Sequence, residues 1–157
     1  MTQEGQRDFV KYTFYKVSPA WRRLPDEDRA RSKAQFATVL AEFADHVAIS
    51  SYSLVGTRGD VDFMLWKVSP ELEAVNELCA QLNRTELGGY LNTPYSYLAM
   101  TRRSPYVDDH KHDGQEGVST SMRMVGRRYL FLYPFVKTHE WYQLPKEKRQ
   151  KLMEEHF

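Results

Sequence analysis

Four side chains near the end of the chain carry the chemistry of a reaction site. Tyr133, Lys137, Trp141 and His156 supply a phenol, an ammonium, an indole and an imidazole. Such a set can ligate a metal, move protons and wall a pocket with aromatic surface. The four lie along Tyr129-Leu-Phe-Leu-Tyr-Pro-Phe-Val-Lys137, Thr-His-Glu-Trp141-Tyr-Gln-Leu-Pro145 and Lys146 to His156. That reads as an apolar strand, a short loop and the start of a helix. Tyr133 and Lys137 are an even number of residues apart, so on a strand both project from one face. Pro134 lacks a donor and fits an edge or a bulge. Each residue alone also has a plainer reading: Tyr133 at a core rim, Lys137 at a solvated strand end, Trp141 in a core. Leu152 and Met153 precede His156 at helical spacing and place it on a core-facing side.

A second cluster, Asp108, Asp109, His110, His112 and Asp113, lies in the polar stretch 103–126. Turn residues and the lack of an apolar period make this stretch a loop. A metal loop has a better-defined ligand scaffold, so the solvated reading is preferred.

The elements that must position these groups follow from the pattern. Phe9–Val17 is aromatic and β-branched, a strand ended by Ser18-Pro19. Leu24-Pro25-Asp26-Glu27 starts a helix that runs to about Asp45. Ala30, Ala34, Ala37, Leu40 and Ala44 form its expected buried stripe, widened by Phe36 and Phe43. Val47–Val55 and Val61–Val68 read as a hairpin around Gly56-Thr-Arg-Gly-Asp60. Its Arg58-Gly59-Asp60 is turn chemistry. Ser69-Pro70-Glu71 caps a second helix to about Asn83, with Leu72, Val75, Leu78, Cys79 and Leu82 on its buried face. Leu87–Thr93 reads as a loop and Tyr95–Arg102 as a fourth strand. The order βαββαβ gives an antiparallel sheet with both helices on one face, the ferredoxin-like arrangement. Its other face then needs a cover.

Composition narrows the class. At 157 residues with 41% hydrophobic and 27% charged content, the chain is a globular type, one domain or one domain and part of another. A net charge of +1 gives no reason to expect nucleic acid or an anionic membrane as partner. Cys79 is the one cysteine, which excludes an intrachain disulfide and fits a reducing compartment. On its apolar helix face it reads as a buried, inert thiol. The N-terminal residues lack the apolar core of a signal peptide, and no apolar run reaches transmembrane length, so a cytoplasmic location is expected.

An internal repeat ties the two ends together. Trp21-Arg-Arg-Leu24-Pro25-Asp-Glu27-Asp-Arg29 and Trp141-Tyr-Gln-Leu144-Pro145-Lys-Glu147-Lys-Arg149 both read W-x-x-L-P-x-E-x-R, and both follow an aromatic strand. The expected division is a ferredoxin-like repeat at 8–103, a linker at 104–126 and the beginning of a second repeat at 127–157. A second copy as long as the first needs roughly 65 further residues, so the chain is expected to be a C-terminally incomplete sequence. Two such sheets would cover each other's open faces in an α+β barrel. In this alignment His156 falls on Phe36, so one copy has an apolar residue where the other has an imidazole. A lone histidine on an apolar helix face is more often a core residue, and that contrast, beside the aromatic strand, shifts the reading toward an axial ligand to a metal or haem.

The segment Tyr133-Pro-Phe-Val-Lys137, Trp141-Tyr-x-Leu-Pro and Glu155-His156 resembles the chlorite dismutase-like superfamily, and within it the coproheme decarboxylases of haem synthesis. Phe-Tyr-Lys-Val, Trp-Arg-Arg-Leu-Pro, Ser-Tyr-Ser-Leu-Val-Gly, Met-Leu-Trp and the run from Pro94 to Tyr106 extend the resemblance over nearly the whole chain. The resemblance implies a dimeric α+β barrel, assembly as a homo-oligomer in a ring of five, and coproheme or haem b bound in the C-terminal repeat. It implies coproheme and hydrogen peroxide as reactants. His156 would be the proximal iron ligand, Tyr133 the redox tyrosine, Lys137 a partner of the reacting propionate and Trp141 a pocket wall. Chlorite dismutases tend to carry an aliphatic residue in place of Tyr133, which favours the decarboxylase. The alternatives are a chlorite dismutase or other haem peroxidase on the same fold, or a non-catalytic assembly module. His110 or His112 would be candidates for a distal base.

Overall fold

The computed structural model describes residues 7–102 and 128–154, which fall into two compact units. The first contains β1 (Phe9–Val17), α1 (Pro19–Arg22), α2 (Asp26–Glu42), β2 (Ala48–Ser53), β3 (Phe63–Ser69), α3 (Leu72–Arg84), a 3-10 turn (Gly88–Tyr90) and β4 (Leu91–Met100). The sheet order is β2-β3-β1-β4, with every neighbouring pair antiparallel. This is the mixed α+β, ferredoxin-like topology expected from βαββαβ. The second unit contains α4 (His139–Gln143) and α5 (Lys146–Glu154).

Alternation along β1 and β3 builds the core. Tyr15 and Leu65 pack with Phe36 of α2 and with Val75, Leu78 and Leu82 of α3. Burying each large apolar side chain contributes about 1.5–3 kcal/mol. The opposite sheet face is apolar too. Its Val10, Met64, Trp66 and Val68 are buried, and Tyr12 stacks on Trp66 at 6.1 Å. The face expected to need a cover is therefore out of water at these positions.

The end of β1 is tied down by Asp62. This buried carboxylate accepts from the Val17 N–H at 2.8 Å, from Lys16 Nζ at 3.2 Å and from Arg22 Nη2 at 3.0 Å. Burial opposes its ionisation, yet the Val17 N–H and the Lys16 and Arg22 cations outweigh that and hold the carboxyl below its ordinary value.

Three expectations need correction in this unit. Ala30, Ala34, Ala37 and Ala44 of the small-residue stripe are exposed. The inward side of α2 instead runs through Ser32, Phe36, Val39 and Leu40 to Phe43 beyond its end, because larger side chains bury more area per position. The helix is preceded by the one-turn α1 and stops at Glu42, and Pro25 stands at its N-cap. Finally, β4 starts at Leu91 rather than Tyr95, since Val17 and Lys16 pair with Leu91 and Asn92 across an irregularity between Phe14 and Lys16.

In the second unit, 129–138 is not a strand: the described residues give it no ladder partner. A strand is defined by cross-strand pairing, and Pro134 has no N–H to offer. Tyr129, Phe131, Tyr133 and Phe135 are all exposed. Leu152, expected on a core-facing side, is 42% exposed.

Candidate functional site

Local sequence explains how the second unit holds its reactive groups. Thr138 caps α4, its Oγ1 accepting from the Trp141 N–H at 3.4 Å, so the loop ending at Lys137 turns directly into the helix that carries Trp141. Lys137 thereby sets its Nζ 3.7 Å from the centre of the Trp141 ring. The Arg149 guanidinium carbon lies 5.5 Å from the same ring centre. Two cations against one indole make a cation–π cluster, attractive to an anionic group. Tyr142 meets Trp141 edge-on at 5.2 Å.

Of the residues singled out in the sequence, Lys137 and Trp141 are thus in contact. Tyr133 is 73% exposed, and its ring stacks on Phe135 at 6.4 Å. Without a strand, the parity argument for a shared Tyr133–Lys137 face does not hold. His156 lies outside the described residues, as do Asp108, Asp109, His110, His112 and Asp113. Among the described residues no group of three or more metal-ligating side chains gathers. Arg149 was not singled out; its signal was its place as the last residue of the repeated motif.

The repeat is present in the backbone. Leu24 N donates to Trp21 O at 3.1 Å and Arg29 N to Pro25 O at 3.0 Å; Leu144 N donates to Trp141 O at 3.3 Å and Arg149 N to Pro145 O at 3.1 Å. Ser18 and Thr138 cap the two short helices. The first copy therefore serves as an internal reference. Tyr133, Trp141 and His156 align with Thr13, Trp21 and Phe36. Thr13 and Phe36 are each 5% exposed, and Trp21 packs on the core cluster that contains Phe36. In the first copy all three positions belong to the layer between sheet and helices.

The copies differ in charge at the start of the longer helix. Asp26, Glu27 and Asp28 open α2, and Asp26 pairs with Arg29. The aligned residues of α5 are Lys146, Glu147 and Lys148, so Arg149 has a lysine where Arg29 has its aspartate. The second copy is made electropositive next to Trp141.

A ferredoxin-like α+β unit followed by a second copy of its capped two-helix motif defines the class of protein. Comparison with known families is then direct: the chlorite dismutase family model matches residues 29–157, and the chain belongs to that family. The coproheme decarboxylase of Staphylococcus carnosus is 31% identical over 92% of this chain and 64% of its own length. That of Mycolicibacterium smegmatis is 29% identical over 94% of this chain and 62% of its own. The chain thus spans less than two thirds of these curated relatives. In fold it is similar to the chlorite dismutase of Candidatus Nitrospira defluvii, with a TM-score of 0.78 and 23% identity over 95% of this chain and 63% of that one. It is also similar to a haem-binding protein from Thermus thermophilus, with a TM-score of 0.67 and 21% identity over 95% of this chain and 64% of that one. Two of these relatives are named for coproheme and one for haem binding.

Proposed function

We propose that the protein performs the oxidative decarboxylation of coproheme to haem b, with hydrogen peroxide as oxidant and Tyr133 as the redox residue. The observation that carries this reading is the exchange at repeat-related positions, Thr13 and Phe36 in one copy for Tyr133 and His156 in the other, taken together with the Lys137–Trp141–Arg149 cluster. Two relatives named coproheme decarboxylase support it.

The donor set fits an iron porphyrin bearing carboxylates. His156 would hold the iron through its imidazole, Lys137 and Arg149 would draw the propionates, and Trp141 would wall the ring edge. When bound, the iron porphyrin supplies the oxidising power taken from peroxide. Tyr133 then gives up its phenolic proton and an electron, and the resulting tyrosyl radical takes a hydrogen atom from the propionate side chain. With loss of a second electron the carbon–carbon bond to the carboxylate breaks, leaving a vinyl group and carbon dioxide. Each propionate gives two electrons and each peroxide accepts them to become two waters, so one peroxide is used per carbon dioxide. Lys137 orients the carboxylate throughout. On the same reading the protein works as a homo-oligomer, a ring of five, in the cytoplasm.

The test is the full-length protein with coproheme and peroxide, followed by mass and absorption spectra. Two successive losses of carbon dioxide are expected, and Tyr133→Phe should keep coproheme binding and abolish both. Product formation by that variant would remove Tyr133 from the radical role. Oxygen release from chlorite without decarboxylation would overturn the reaction assignment, and absent coproheme binding would overturn the haem reading.

A further inference from the structure

The first unit holds a reactive pair that coproheme chemistry does not use. Lys67 lies within β3 and is 0% exposed. Its Nζ donates to Thr13 Oγ1 at 2.9 Å and contacts Cys79 Sγ on α3 at 3.4 Å. Neither partner is a carboxylate. An ammonium withdrawn from water without a compensating anion is costly, and a lysine in that position sheds its proton more readily. Burial pushes the Lys67 amine below its ordinary value, against an opposing pull from the Cys79 sulfur, and Lys11 adds to the depression. The neighbourhood is otherwise apolar or neutral: Leu65, Val75 and Leu78 are buried there, and burial pushes the Tyr15 phenol upward. Cys79 itself is half-buried.

The expectation of a buried thiol is therefore corrected. A deprotonated lysine amine is a nucleophile, and an oxidised cysteine sulfur is an electrophile. Here the two atoms are already in contact, on separate elements that the core holds in register.

We propose that Lys67 and Cys79 form a reversible covalent cross-link under hydrogen peroxide, a sulfenamide that joins β3 to α3. In the first step the Cys79 thiol attacks peroxide, the O–O bond breaks, and sulfenic acid and one water form. In the second step the Lys67 Nζ lone pair attacks the sulfenic sulfur. The S–N bond forms, the S–O bond breaks, and the oxygen leaves as water with an amine proton. Sulfur is oxidised by two electrons, peroxide is reduced by two, and the protein loses two hydrogens. A thiol reductant reverses the link by attack on sulfur, returning the amine and the thiol. The bond caps Cys79 before it reaches the irreversible sulfinic state. It is an oxidation site in the first repeat, independent of the proposed decarboxylation.

The experiment uses the full-length protein without coproheme, treated with hydrogen peroxide and digested without reductant. A cross-linked peptide pair joining Lys67 to Cys79 is expected, about 2 Da lighter than the sum of its parts for the two hydrogens lost. Dithiothreitol should separate it. Lys67→Met should give no cross-link and should carry Cys79 on to sulfinic and sulfonic acid; Cys79→Ser should give neither. The wild-type peptide map stands alone if Lys67→Met does not fold. Sulfinic or sulfonic acid at Cys79 in the wild type with no joined peptide would overturn the proposal, as would a Cys79 left unoxidised. Because no haem is present, failure here is distinct from failure of the decarboxylase reading.

Discussion

Replacing Asp62 separates a backbone anchor from two surface cations. In Asp62→Ala the Val17 N–H, bonded at 2.8 Å in a part-buried site, loses its acceptor, a loss of about 1–2 kcal/mol. The Arg22 and Lys16 side chains are 52% and 33% exposed, so their charges return largely to water and each adds only about 0.5 kcal/mol. The total is about 2–3 kcal/mol, or a fall in Tm of roughly 6–9 °C for a chain of this size. Asp62→Asn keeps an oxygen for Val17 and removes the charge, so about 1 kcal/mol is expected. Urea unfolding at constant m value measures both. The pH dependence has a definite sign. A carboxyl whose folded pKa is depressed stabilises fully above its unfolded value of about 3.9 and loses that contribution as pH falls through the folded value. The wild-type advantage over Asp62→Asn should therefore be flat at neutral pH and fade below about pH 4. An alanine cost equal to the asparagine cost, or an advantage that persists at low pH, would refute the reasoning.

Three further outcomes follow from other contacts. Gly88→Ala would set a Cβ 2.1 Å from Leu82 O and 3.0 Å from Asn83 Cα, so the backbone must shift, and a loss of about 1–3 kcal/mol is expected in denaturant unfolding. Trp21→Phe removes the indole donor that reaches Ser32 Oγ at 2.9 Å; a double-mutant cycle with Ser32→Ala should return a coupling of about 1 kcal/mol, and a value near zero would discount the bond. Lys137→Met should weaken coproheme binding about 10- to 150-fold, the equivalent of one charged hydrogen bond, as read by titration; unchanged binding would take Lys137 out of propionate recognition.

The sheet was readable because β1 and β3 are dense in aromatic and β-branched residues, and because Leu72, Val75, Leu78 and Leu82 keep helical spacing. The small α1 escaped since four residues contain barely one helical turn. The alanine stripe misled because the period was right while the choice among faces depends on side-chain size. Tyr129–Val136 has strand composition, yet strand formation needs a partner that composition does not contain. In the site, repeated Trp141 and the Lys137 beside it were legible as a motif. The approach of Arg149 to the ring was not, because it depends on how the turn at Pro145 directs α5. Lys67 was a charge inside an apolar strand run; its contact with Cys79 depends on helix-to-sheet packing.

The central position of β1 has a bearing on how the chain is made. This strand pairs with β3 on one side and β4 on the other, and just before it the Asp8 N–H reaches Thr101, 93 positions downstream. At ribosomal rates of about 5–20 residues per second, the first aromatic strand waits roughly 5–20 s for its last partner. Through that interval Tyr12, Phe14 and Tyr15 leave the ribosome without the sheet that later holds them. A nascent-chain binder would find its target there, and stalling synthesis between β3 and β4 should maximise its occupancy.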